Sequence, residues 1–168
     1  GTRIAFLLYG SWGEEIYTIG GDGTGLIPLN DFDDGIEETS IPSWSPDSAW
    51  VTYSCQLERV HDGQRVVYVT AADGSAIRRL TFDNNSYGPR WSPSGDTIAY
   101  FSRSDWRTPS DVYVTDPEGR NHRNLTSDES RDPYSNSSLS WSPDGGWLAF
   151  ILGEEETDRE NIYIASPD

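Results

Sequence analysis

Few side chains here can do covalent or metal chemistry, and their spacing decides most function classes. A hydrolase of the nucleophile-elbow type needs Gly-x-Ser-x-Gly on a strand-to-helix turn, and that spacing does not occur. Gly10-Ser11-Trp12-Gly13 comes nearest, but its serine is misplaced and a strand-like run follows. There are two histidines, His61 and His122, and one cysteine, Cys55, too few for a usual zinc set or a disulfide framework. Oxygen-rich ligands are plentiful: Asp31, Asp33, Asp34, Glu37 and Glu38 form one cluster, Asp128, Glu129 and Asp132 a second, and Glu154, Glu155, Glu156 and Asp158 a third. Calcium favours such loops, yet Gly35 is misplaced for an EF-hand, and acidic runs are usually solvated faces. The sequence therefore predicts no cofactor, with calcium on Asp31, Asp33 and Asp34 as the alternative. Ser142-Pro143-Asp144-Gly145-Gly146 looks like a sialidase Asp box but lacks its aromatic offset.

Charge narrows the partners. Twelve arginines and no lysine face 28 acidic residues, a net charge of −16. That balance disfavours nucleic acid and anionic membrane surfaces, which select for clustered cations. No apolar run approaches the roughly 20 residues of a membrane-spanning helix. With 35% hydrophobic and 12% aromatic residues the chain can bury a core.

The elements that must position any site announce themselves by repetition. Trp44-Ser45-Pro46-Asp47, Trp91-Ser92-Pro93-Ser94 and Trp141-Ser142-Pro143-Asp144 are copies of one phrase, 47 and 50 residues apart. Nine residues after each Trp stands Tyr53, Tyr100 or Phe150, with Phe6 a fourth copy; a second run follows, ending at Tyr17, Tyr68, Tyr113 or Tyr163. These runs are short, rich in β-branched and aromatic residues, and bounded by Ser-Pro-Asp and Asp-Gly turn chemistry, so they read as strands. Four strands in each unit of about 45–50 residues is the pattern of a β-propeller blade. Lettered A to D from the strand that ends at the Trp, they divide the chain into blade 1 over 1–30 (strands B, C, D), blade 2 over 40–81, blade 3 over 87–126 and blade 4 over 137–168 (strands A, B, C). The expectation is an all-β propeller of four four-stranded antiparallel blades, the first and last incomplete, 14 strands in all. It is read as part of a larger ring or, alternatively, as a chain completed by strands from neighbouring copies. The recurrent aromatics Trp44, Trp91, Trp141, Phe6, Tyr53, Tyr100, Phe150, Tyr17, Tyr68, Tyr113 and Tyr163 are assigned to the core, and Trp50 and Trp147, at the start of strand B, are read as structural. Runs such as Ile4 to Tyr9 and Val66 to Val69 are expected to be covered on both faces.

The phrase Trp-Ser-Pro-Asp-Gly followed by Ile/Leu-Ala-Phe/Tyr resembles the TolB-type β-propeller repeat, which also builds the propeller domains of prolyl-oligopeptidase-like serine peptidases. Ser48-Ala49 in one copy and Ser94 in the next depart from it, within a turn that tolerates them. The resemblance implies a module for protein interaction or ligand sensing without catalytic residues, in the periplasm, at the cell surface or secreted. It equally implies the alternative of a substrate-gating propeller in a peptidase. Sequons at Asn84, Asn124 and Asn136 are compatible with export.

Strand alternation places the A-to-B and C-to-D turns on one face of the disc and the B-to-C and D-to-A connections on the other. The first set is short and stereotyped; the second is long and irregular, over 10–15, 30–41, 54–65, 82–88, 102–110, 127–137 and 151–160. Variable connections on a rigid scaffold are where binding usually resides. Trp12, His61, Tyr87, Asp105, Trp106, Arg107, Arg131 and Tyr134 are the candidate partner-binding residues on that face, since aromatics with arginine make up contact hot spots. The expected partner is a protein or the rest of the chain's own propeller, with homo-oligomers through open blade edges as a further possibility. A third reading is a self-assembling structural protein.

Overall fold

The computed structural model describes residues 1–10, 13–30, 36–57, 64–82, 85–104, 108–126, 138–154 and 159–167. Among them every regular element is a strand. Blade 1 is β1 (Arg3–Gly10), β2 (Gly13–Gly20) and β3 (Ile27–Pro28); blade 2 is β4 (Ile36–Thr39), β5 (Ser43–Trp44), β6 (Trp50–Leu57), β7 (Arg65–Ala71) and β8 (Ile77–Arg79). Blade 3 is β9 (Ser86–Trp91), β10 (Ile98–Ser102), β11 (Asp111–Thr115) and β12 (Arg123–Asn124), and blade 4 is β13 (Leu139–Trp141), β14 (Leu148–Glu154) and β15 (Arg159–Ala165). All pairs within blades are antiparallel. One parallel bridge, Gly13 to Ile36, links blades 1 and 2. Among the described residues the strands number 15 rather than 14 because strand A of blade 2 is split into β4 and β5, both paired with β6. The polar run Ile36-Glu37-Glu38-Thr39 carries no strand-like alternation, which is why the sequence placed it in a connection.

The repeated aromatics turn out to be cross-strand partners. Phe6 faces Tyr17, Tyr53 faces Tyr68, Tyr100 faces Tyr113 and Phe150 faces Tyr163 across strands B and C. Their rings lie 5.7–6.1 Å apart and near parallel. Such pairs contribute about 0.5–1.5 kcal/mol beyond burial, and they fix the register at which the remaining residues alternate between faces. Tyr68 packs toward blade 1 with Ile16, Leu29, Val51, Tyr53 and Cys55. Its neighbours Val67 and Val69 pack toward blade 3 with Leu80, Trp91, Ile98 and Tyr100. Blade 3 repeats this toward blade 4: Phe101, Val112 and Val114 meet Leu139, Leu148 and Phe150. Three apolar layers thus hold four blades, and Cys55 lies in the first.

The end faces depart from the expected symmetry. Val67 and Val112 are fully buried, but Ile162 at the same register is 75% exposed and Ile164 is 66% exposed. Val51 and Cys55 are buried, whereas the corresponding Ile4 and Leu8 are 57% and 46% exposed, so the run from Ile4 to Tyr9 is covered on one face only. Tyr163 is exposed instead of core, and Trp147 is exposed as well. Among the described residues β15 has no strand D beside it, and none forms a further layer against the outer face of blade 4. An open apolar hollow of about 590 Å³, lined by Trp141, Trp147, Ala149 and Ile164, marks that face.

The short turns are held by carboxylates. In the A-to-B turns Ser45 and Ser142 donate to Asp47 and Asp144 at 2.5 and 2.6 Å, while their hydroxyls accept from the Trp50 and Trp147 amides. The same carboxylates accept from the amides of Ala49 and Gly146 at 3.0 Å. The third turn has Ser94 in place of the aspartate, and Asp96 supplies the carboxylate instead, accepting from Ser94 at 2.6 Å and from Ser92. Gly95 and Gly145 occupy the left-handed region in these turns, and Ser48 occupies it with φ 62° where they have no side chain. Gly119 is required twice over: its φ is 72°, and a Cβ there would sit 2.9 Å from the Leu80 carbonyl of the neighbouring blade.

Two outcomes follow from the turns. Ser48→Gly relieves a left-handed conformation costly to an L-residue, at some cost in unfolded-chain entropy, and raises stability by about 0.5–1 kcal/mol. Thermal denaturation should register this as a rise of about 1–4 °C. The hydrogen bond from Ser142, then the Gly146 amide, hold the Asp144 carboxyl below its ordinary value. A lowered folded pKa contributes stability above the unfolded value of about 3.9 and loses it as pH falls through the folded value. Asp144→Asn should therefore destabilise at neutral pH, with its deficit closing as the medium is taken below about pH 4. Melting temperatures of both proteins across pH check this.

Candidate functional site

The long-connection face carries one candidate residue within the described region. Tyr87 opens strand A of blade 3 and lies half-buried at the seam with blade 2. Trp12, His61, Asp105, Trp106, Arg107, Arg131 and Tyr134 lie outside the described residues, as do Asp31, Asp33 and Asp34.

Alternation within β9 determines what Tyr87 meets. Its ring stacks on Phe101 of β10 at 5.5 Å, and its hydroxyl is hydrogen-bonded to Ser110 at 2.7 Å. Two cations share the ring: the Arg65 guanidinium carbon lies 5.8 Å from its centroid and that of Arg103 lies 5.9 Å from it. Arg65 is the first residue of β7, so blade 2 supplies one guanidinium, while Arg103 follows β10 in blade 3. Each cation–π contact is worth about 0.5–1 kcal/mol at an exposed site.

A cleft of about 190 Å³ opens at this seam, lined by Thr39, Ser40, Ser54, Arg65, Tyr87 and Gly88. Thr39 is buried, and its amide donates to the Glu14 carboxylate at 2.5 Å. The Ser40 hydroxyl accepts from the Ser54 amide at 2.9 Å. Hydroxyls, one aromatic face and guanidinium charge can orient a small polar ligand; they contain no activated nucleophile. Burial pushes the Cys55 thiol up to about 12, so it stays protonated in the core. His122 sits just before β12, bound to the Tyr100 hydroxyl at 2.7 Å. Among the described residues no group of three His, Cys, Asp or Glu side chains is gathered as a metal site.

Sequence reasoning singled out Tyr87 but not Arg65, Arg103, Thr39, Ser40 or Ser54. Arg65 and Ser54 fell within the connection assigned to 54–65, and Arg103 within 102–110, so the face was legible. Their convergence was not, because the cleft draws on four strands, β4, β6, β7 and β9, and on Ser40 between β4 and β5.

No protein-family profile matches the chain. Over 143 residues it is 32% identical to the uncharacterized peptidase YuxL of Bacillus subtilis, a match covering 80% of this chain but only 21% of that protein. Its backbone is similar to that of TolB from Acinetobacter baumannii, with a TM-score of 0.72 at 18% identity over 98% of this chain and 39% of that one. A prolyl endopeptidase structure gives a TM-score of 0.65 at 16% identity over 99% of this chain and 25% of that one. The turn phrases, the stacked blades and these likenesses agree: the chain has the β-propeller fold of TolB and of the propeller domains of prolyl-oligopeptidase-like peptidases.

Proposed function

We propose that this chain is a recognition module that binds a protein or peptide through its long-connection face and performs no covalent step itself. The observation that carries this reading is the asymmetry of the two faces. Serine–aspartate hydrogen bonds close the A-to-B turns on one side, while the other side bears the long connections and the arginine-lined cleft. The net charge of −16 would steer cationic partners toward the molecule over about one Debye length. We place the module outside the cytoplasm on its likeness to TolB.

A second reading, in which the propeller selects substrates for a serine peptidase, is favoured by the identity to YuxL. Fluorophosphonate labelling of the natural polypeptide that carries this sequence separates the two. Labelling supports the peptidase reading; an unlabelled polypeptide supports a TolB-like interaction module.

Recognition itself is tested by selecting binders from a random peptide library against the purified chain and mapping them by amide exchange. Protection should concentrate at the ends of β4, β7 and β9 nearest the cleft. Binders that protect the turns 45–50, 92–97 and 142–147 instead would contradict the assignment of the face.

A further inference from the structure

We propose that the cleft between blades 2 and 3 is a binding site for a carboxylate group, of the kind a peptide presents at its C-terminus. This deepens the recognition reading and rests on it. In a chain carrying −16, the cleft gathers positive charge: Arg65 lines it, and Arg103 lies against the same Tyr87 ring. The cation–π contact with Tyr87 favours each guanidinium staying beside the ring, and any such pre-organisation lowers the entropic cost of engaging a ligand. Arginine presents paired N–H donors that match the two oxygens of a carboxylate.

The opposite wall supplies hydroxyls. Thr39 is only 7% exposed, and its Oγ1 is buried without a hydrogen-bond partner. A buried hydroxyl left unsatisfied carries a desolvation penalty that a ligand oxygen would remove. Ser40 accepts from the Ser54 amide, so its own proton is left to donate.

Size and charge restrict the anion. About 190 Å³ holds a carboxylate together with the residue that bears it, so the rest of a peptide would run outward toward the long connections. Glu14 already places a carboxylate on the Thr39 amide, and this neighbouring negative charge favours a planar monoanion over a phosphate dianion.

The test is titration of the purified chain with an acetylated tripeptide bearing a free C-terminal carboxylate, with its C-terminal amide, and with inorganic phosphate, followed by backbone-amide NMR. The carboxylate form should saturate with shifts at Thr39, Ser40, Ser54 and Gly88, and the amide should bind at least about tenfold more weakly. Arg65→Gln should weaken binding about tenfold or more, and Thr39→Val severalfold. Arg120→Gln, on a C-to-D turn, should change nothing. Should Arg65→Gln fail to fold, Thr39→Val carries the test, since it removes an unsatisfied hydroxyl without removing a packed cation. Equal binding of the amide, tighter binding of phosphate, or no shift at these positions up to about 10 mM carboxylate peptide would overturn the site. Peptides that bind the long-connection face with no preference for a carboxylate would overturn the site and leave the recognition reading standing.

Discussion

The structure depends on one constraint: strands B and C of blades 2 and 3 must present apolar side chains to two neighbours at once. Period-2 alternation meets it only while register holds, and the stacked aromatic pair at the centre of each blade is what holds it. Tyr68 looks back to blade 1 while Val67 and Val69 look forward to blade 3. A one-residue slip would exchange these faces and empty both layers. The close approach of Gly119 to the Leu80 carbonyl is a consequence at the rim, where blades that pack this tightly leave no room for a side chain.

Charge is distributed in keeping with that architecture. Acidic residues serve the turns, where Ser45, Ser142 and Ser94 donate to carboxylates beside amides awaiting acceptors. Basic residues serve aromatic faces: Arg78 lies over Trp50, Arg79 over Phe82, and Arg65 and Arg103 against Tyr87. A position against an aromatic ring suits a guanidinium better than an ammonium, which gives the absence of lysine a physical setting. The two faces of the disc then differ in kind, one closed by local hydrogen bonds and the other carrying the long connections.

The blades were legible in the sequence because their signal is repetition of large residues at fixed offsets. Phe6, Tyr53, Tyr100 and Phe150 marked strands B, and Tyr17, Tyr68, Tyr113 and Tyr163 marked strands C, in the register the structure adopts. What escaped was whatever depends on neighbours. β4 is a strand because β6 pairs with it, not because Glu37 and Glu38 favour one. Asp96 replaces the missing turn aspartate from two positions away, a substitution visible only in hydrogen bonds. Trp147 and Ile162 have core identities and exposed positions. The cleft at Tyr87 joins residues from Thr39 to Gly88, and no spacing rule connects them.

Hydrogen exchange of the backbone amides under native conditions addresses the central claim most directly, since protection follows burial and cooperative packing. Stacking through both faces of strands B and C predicts the slowest exchange in β6, β7, β10 and β11, which have blades on either side, and markedly faster exchange in β1 and β15. Uniform protection across all four blades, or slow exchange confined to β1 and β15, would contradict the account.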